Sequence, residues 1–408
     1  MKTDIDRLMT ERGFDALVVT GDAAHNFPRY YLTDGAHVTG GLVIKKCGAD
    51  PIMVVNPMET EEAAKSGLQV YSYYDLGWAE LLKESKGDRQ LAEVHLWGRG
   101  LEKAGVASGK VAVYGVGDLN VYIEMVKLLA TSYPQYDFCG ELGVSVFDSA
   151  AVTKGADEIA RIRSVAQRTS EVLAATWEYI ASHCADGDRV VKADGTPLTI
   201  GSVKGFVRRA LLDRGLEDTD MIFAQGRDGG FPHSRGEEDM ALKQGQAIVF
   251  DLFPREIGGG YFHDCTRTWS IGYATPEVKQ AFDEVQDAFD VAFDNFRINM
   301  PAKAMQEAVQ SYLESKGHPT SRSHPGTNVG YVHGLGHGVG LKIHERPSIG
   351  HQSEDTLISG NVITIEPGVY YPERGFGVRL EDTCYVADDG QLLPLTDFHK
   401  ELVLPLKG

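Results

Sequence analysis

The chain has 408 residues, 42% hydrophobic and 24% charged, which is enough apolar material for two cores rather than one. Lys plus Arg number 40 against 58 Asp plus Glu, and the net charge of −18 argues against a general grip on nucleic acid or an anionic membrane surface. The five cysteines (Cys47, Cys139, Cys184, Cys265, Cys384) form no C-x-x-C pair, and no apolar run approaches 18 residues, so neither a disulfide framework nor a membrane span is expected. The opening segment MKTDIDRLMTERG is charged and lacks the apolar run of a secretory signal. With an odd, scattered set of cysteines, this makes the cytoplasm the expected location.

Ile5, Leu8 and Met9 recur at helical spacing, and Gly13 is a stop signal. Ala16–Thr20 (ALVVT), 41–44 (GLVI), Ile52–Val55 (IMVV) and 111–114 (VAVY) are short apolar runs bounded by Gly, Asp or Pro. They read as buried strands of a small α/β domain. Between the first two, residues 23–40 (AAHNFPRYYLTDGAHVTG) read as an aromatic-rich loop of low order, a connector or the wall of a cleft. A new pattern starts near 153–158, where Asp157 and Glu158 suit the positive end of a helix dipole. Ile159, Ile162, Val165, Ala166, Val172, Leu173, Trp177 and Ile180 then mark the apolar stripe of a long helix. These patterns divide the chain into domains at 1–152 and 153–408. Further helices are predicted at about 201–215, 276–297 and 302–317.

Histidine is unevenly spread: of 13, His324, His333, His337, His344 and His351 fall within one short stretch. Three lie in HGLGHGVGLKIHERP, 333–347, whose glycines at 334, 336, 338 and 340 allow close backbone approach and unusual φ. The strict G-x-G-x-x-G spacing is missing and no Lys-Ser or Lys-Thr follows, so a phosphate loop is disfavoured. Acids supply the rest. Residues 248–253 read IVFDLF, and a carboxylate within an apolar strand is costly unless paired or bound to a cation, which singles out Asp251. Asp264, Thr266, Thr268 and Ser270 share one face of a second strand, and Gly258, Gly259 and Gly260 allow the chain to turn back between the two. Glu366 ends VITIE and Glu381 ends VRLE, each beside apolar neighbours. Four carboxylates and an imidazole on converging strands suit a two-metal hydrolytic site. Oxygen-rich ligation favours Mn²⁺-like ions, and one imidazole keeps Co²⁺, Zn²⁺ and Fe²⁺ open.

These motifs resemble the pita-bread metallopeptidases: Xaa-Pro dipeptidases (prolidases), aminopeptidase P and methionine aminopeptidase. FD at 250–251, HDCTRT at 263–268, HGLGHGVGLKIHERP, TIEPGVY at 364–370 and VRLED at 378–382 carry the likeness. The resemblance implies an α+β fold, a pita-bread catalytic domain preceded by a smaller α/β creatinase-type N-terminal domain. It implies Asp251, Asp264, His337, Glu366 and Glu381 as ligands of two divalent ions, with Asp264 and Glu381 bridging. It further implies a bridging hydroxide as nucleophile, with Glu366 shuttling its proton. His333, His344 and His233 match histidines that steady substrate, while Arg379 and, behind Asp264, Thr266 match groups that orient ligands. Proline-containing dipeptides or short peptides are the implied substrates, and a homodimer the implied assembly. Creatinase and the chaperone relatives lack these ligands, and methionine aminopeptidase usually lacks the long N-terminal domain.

The sequence departs from the family at two places. Asp251 and Asp264 are 13 apart where 11 is common, and Ser348 stands where many microbial prolidases carry an arginine that clamps the free carboxylate of a dipeptide. The expectation drawn from this is that Arg29 or Arg346 supplies the missing charge, with Tyr30 beside Arg29 in the aromatic loop. Three readings follow: an Xaa-Pro dipeptidase, an aminopeptidase P-like enzyme for longer Xaa-Pro peptides, and a peptide-binding protein without turnover.

Overall fold

The first helix, Ile5–Arg12, buries Ile5, Leu8 and Met9 and ends at Gly13, whose φ of 67° lets its N–H return to the carbonyls of Met9 and Thr10. In the computed structural model, which describes residues 4–407, the chain falls into two compact units. Residues 1–3 of the opening segment, and residue 408, lie outside the described residues. One unit comprises Met1–Ala150 with Gly258–Gly260, the other Ala151–Ile257 with Tyr261–Gly408.

The first unit is built on a six-stranded sheet in the order Gln69–Ser72, Ile52–Val55, Leu42–Lys46, Ala16–Thr20, Gly109–Gly115, Tyr136–Cys139. The three strands from Ile52–Val55 to Ala16–Thr20 pair antiparallel and the additions on either side are parallel. All five residues of Ala16–Thr20 are buried, because this central strand has apolar layers on both faces. The stretch 23–40 is not the irregular loop its composition suggests. Asn26 caps a helix, Phe27–Thr33, by accepting from the Arg29 N–H. Arg29 itself is fully buried. Its guanidinium donates to the carbonyls of Gly21 (2.5 Å), Gly40 (2.6 Å) and Gly41 (3.1 Å), tying three chain segments together.

The second unit consists of two sheets, each covered by a pair of helices. Ala156–Ala181 and Ile200–Asp213 lie on Met221–Gln225, Ala247–Leu252, Cys265–Ala274 and Gln244–Gly245. Val165, Leu173, Phe223, Phe250 and Trp269 fill that layer, with Trp269 edge-on to Trp177 and Phe250. Pro276–Asn295 and Ala302–Ser315 cover the second sheet, ordered Glu345–Ile349, Gly336–Gly338, Val362–Ile365, Asp382–Val386, Leu392–Pro394. The long first helix starts where the acids suggest, with Glu158 accepting from the Gly155 N–H at 2.8 Å. Among the described residues no helix is long and apolar enough to cross a membrane.

Candidate metal centre and its cavity

The site assembles from strand ends where the two sheets of the second unit meet. Ala247–Leu252 pairs antiparallel with Cys265–Ala274 so that Asp251 faces Thr266. Asp264, two residues before Thr266, therefore falls diagonally across from Asp251, within reach of a shared ligand. Glu366 follows Val362–Ile365, and Glu381 lies between Phe376–Arg379 and Asp382–Val386. His337 is in the short strand Gly336–Gly338. None of the four motif glycines has positive φ; the close approach alone explains them. A Cβ on Gly336 would overlap the carbonyl oxygen of Thr364, and one on Gly338 that of Arg346.

Asp251, Asp264, His337, Glu366 and Glu381 all line one cavity of about 500 Å³, together with His233, His333, His344, Arg379 and Ser348. Ligand atoms of Asp264, His337 and Glu381 lie within 4.8 Å of one another, a group that could hold a metal ion. His337 gives its Nδ1–H to the carbonyl of Gly338 at 3.1 Å, which leaves the Nε2 lone pair facing Asp264 Oδ2 at 3.6 Å and Glu366 Oε1 at 3.7 Å. Three electron-rich atoms turned toward one another are repulsive without a cation between them. Asp251 Oδ1 and Asp264 Oδ1 are buried and have no hydrogen-bond partner, so each offers an unused lone pair. The donor set of four carboxylates and one neutral imidazole fits divalent ions of the Mn²⁺, Co²⁺, Zn²⁺ and Fe²⁺ kind.

Electrostatics carry the same signature. Burial, then the charges of Glu381, Asp251 and Glu366, pushes the Asp264 carboxyl well above its ordinary range. Burial, then Glu366 and Asp251, does the same to Glu381. Glu366 is pushed up to about 8, chiefly by burial, against the pull of Arg379. His337 is held down to about 4 by burial and by His344, so its imidazole is neutral and available as a ligand. Such a cluster cannot ionise fully by itself.

A layer of hydrogen bonds holds the acids in place. Arg379 donates to Asp251 Oδ2 (2.6 Å), Thr266 Oγ1 (3.0 Å), Tyr370 Oη (2.9 Å) and the carbonyl of Pro232 (3.2 Å). Thr266 donates its hydroxyl hydrogen bond to Glu381 Oε2 at 2.7 Å, so it braces that acid rather than Asp264. Arg267, also buried, grips the Glu381 carbonyl (2.7 Å) and Asp382 (2.8 Å). Tyr370 and Arg267 were not singled out from sequence. A tyrosine in VYY and an arginine among threonines carry no signal until their partners are known.

The histidines differ from one another. His333 donates from Nδ1 to the Gly334 carbonyl (2.7 Å) and accepts at Nε2 from Tyr370 (2.9 Å), so both ring nitrogens are engaged within the chain. His344 packs edge-on to His337 with centroids 4.4 Å apart, and burial lowers its pKa. His233 is exposed on the cavity wall.

The two arginines expected to clamp a carboxylate are otherwise occupied. Arg29 is enclosed by backbone carbonyls and has no accessible surface for a ligand. Arg346 pairs with Asp355 and does not line the cavity, whereas Ser348 does. Tyr30 belongs to the first unit, in Phe27–Thr33, with its ring against Gly35.

The sequence profile of Metallopeptidase family M24 matches residues 160–388, more than half of the chain, and the chain belongs to that family. The full length aligns at 25% identity with the Xaa-Pro dipeptidase of Lactobacillus delbrueckii subsp. lactis, covering 99% of this chain and all of the relative. A probable dipeptidase, PepE, of Mycobacterium tuberculosis is 31% identical over 209 residues, 51% of this chain and 52% of the relative. For such relatives the match spans about half of their length. The Xaa-Pro dipeptidase structure from Bacillus anthracis superposes with a TM-score of 0.75 at 21% identity, over 99% of each chain. That likeness identifies the fold: an α+β pita-bread domain preceded by a smaller α/β domain.

Proposed function

We propose that this chain is a metal-dependent Xaa-Pro dipeptidase that hydrolyses the peptide bond preceding a proline. The observation that carries the reading is the convergence of Asp251, Asp264, His337, Glu366 and Glu381 on one cavity with unpartnered lone pairs. The dipeptidase names of its relatives supply the substrate class. In the proposed arrangement Asp251, Asp264, His337, Glu366 and Glu381 would hold two divalent ions, Mn²⁺ in preference to Co²⁺, Zn²⁺ or Fe²⁺. Bound there, the ions would polarise the scissile carbonyl and acidify an attacking water.

The chain's own residues do the rest. Glu366 takes the water proton and returns it to the leaving proline nitrogen, a task suited to a carboxylate on the wall of the cavity that holds the nucleophile. His344 and His233 line the cavity and, among the described residues, have no hydrogen-bond partner; they donate to the substrate carbonyl. His333 and Tyr370 form a braced wall behind Glu366, with His333 Nδ1 3.9 Å from Glu366 Oε2. Arg379 holds the Asp251 carboxylate in orientation. The proposal also takes the first unit as a creatinase-type N-terminal domain, the assembly as a homodimer and the location as the cytoplasm. The five free cysteines support the last of these.

Ser348 on the cavity wall favours a second reading, an aminopeptidase P-like enzyme open to longer peptides. The test is hydrolysis of Ala-Pro against Ala-Pro-Ala by chelator-stripped enzyme reloaded with Mn²⁺. Cleavage of Ala-Pro alone supports the dipeptidase, and cleavage of both the aminopeptidase. Cleavage of neither, with metal bound, refutes both.

A further inference from the structure

We infer that Arg235 is the residue that recognises the free C-terminal carboxylate of the substrate, in place of the arginine replaced by Ser348. This rests on the dipeptidase reading above. Only two of the cavity-lining residues are arginines. Arg379 is buried and bound by four acceptors around the acids, so it has no reach toward substrate. Arg235 is the other, with its side chain 63% exposed. Its Nε donates to Asp220 Oδ2 at 2.6 Å and its Nη2 lies 2.5 Å from the same oxygen, leaving Nη1 and its two N–H groups for a ligand.

The anchor places Arg235 on the wall of the same cavity as the acids. Asp220 accepts from the Met221 N–H at 2.9 Å and immediately precedes the strand Met221–Gln225, in which Ile222 pairs with Asp251. Asp220 and Ile222 are two residues apart and both line the cavity, so the carboxylate that anchors Arg235 lies two positions from the residue paired with Asp251. Ile222, Phe253 and Pro232 supply apolar lining for the pyrrolidine ring. The clamp thus lies in the loop after His233 rather than on the strand after His344, and it selects a free carboxylate on the proline over its amide.

The experiment compares kcat/KM for Ala-Pro and for Ala-Pro-NH2, which lacks the carboxylate, using the Mn²⁺-loaded native enzyme, Arg235→Ala and Arg235→Lys. The native ratio should favour Ala-Pro, and Arg235→Ala should cut that ratio by roughly ten- to a hundredfold, mostly through KM for Ala-Pro. Arg235→Lys should recover part of it, since a point charge replaces the fork incompletely. A ratio unaltered by Arg235→Ala in an enzyme that still cleaves Ala-Pro overturns the clamp and leaves the dipeptidase standing. A native enzyme that cleaves neither compound with metal bound overturns both.

Discussion

Stripping the metal should make the protein's stability fall as pH rises through neutrality, the reverse of what a surface rich in carboxylates would do. Glu366 is ordinarily ionised above pH 4.5 but in the folded, metal-free cavity retains its proton up to about pH 8. Asp264 and Glu381 are raised in the same direction by burial and by the neighbouring carboxylates. Between the two values the unfolded chain binds fewer protons than the folded one, so stability declines by about 1.4 kcal/mol per pH unit for each such group. His337 (about 4) and His333 (about 3) act oppositely, because the folded state holds them neutral where the unfolded chain would charge them. Their contribution is lost as pH falls below about 6.5, the ordinary imidazole value, and is flat above it. The window from pH 7 to 8 therefore isolates the carboxylates: Glu366 contributes about 1 kcal/mol across it, and Asp264 and Glu381 act in the same direction. For a unit of roughly 250 residues the Glu366 share is about 2–4 °C in Tm. Cations between the acids remove the penalty, so the stabilisation gained on adding Mn²⁺ should grow over the same window. Thermal melts followed by circular dichroism, with chelator and with Mn²⁺, between pH 5 and 8 provide the test. A metal-free Tm that is level or rising from pH 7 to 8, or a metal increment independent of pH, would refute the account of a cluster kept apart by unneutralised charge.

Glu366→Gln should reduce kcat by about 10²–10⁴-fold while raising the Tm of the metal-free protein at pH 8, since one buried acid is removed; assays and melts on the same preparation check both. Thr266→Val leaves Glu381 Oε2 and Arg379 Nε without their shared partner in a dry site. It should cost about 2–3 kcal/mol, read from urea unfolding of the chelated protein. Gly338→Ala drives a Cβ into the Arg346 carbonyl and must shift the strand bearing His337. Isothermal titration with Mn²⁺ should show loss of metal binding even where soluble protein is recovered.

The legible parts of the sequence are those where one physical demand dominates. Ala16–Thr20 and Ile52–Val55 are continuous apolar runs between turn residues, and their strands begin and end where those runs do. The helices Arg89–Lys103 and Leu119–Ser132 are not among those the sequence predicts. In the former, Gly98 and Gly100 disguise the pattern, yet both are required by packing. A Cβ on Gly98 would enter the ring of Tyr133, and one on Gly100 would come within 2.7 Å of Ile44. Arg29 misled for a related reason. A lone arginine among aromatics reads as an exposed charge, and nothing local announces that three glycine carbonyls, one of them eleven residues on and another twelve, converge to receive it. The metal site was easier, because a carboxylate in an apolar strand is expensive enough to demand a reason. Asp251, Glu366 and Glu381 each showed that expense within four or five residues.

Arg235 displays none, sitting in SRGEED where an exposed arginine is the default, and only the register Ile222 to Asp251 gives it a place relative to the acids. The distinction is general to this site. Residues that pay a desolvation penalty are visible one by one, whereas those that select the substrate remain half-solvated and acquire meaning only from what the fold sets on the same cavity wall. The absence of an arginine at 348 is visible only against the pattern of the family the chain resembles, and its replacement is visible in no local pattern at all. The same loss of a clamp on one strand and its return on a neighbouring loop leaves the four carboxylates and the imidazole undisturbed. Substrate length can thus change without any alteration to the groups that hold the metal.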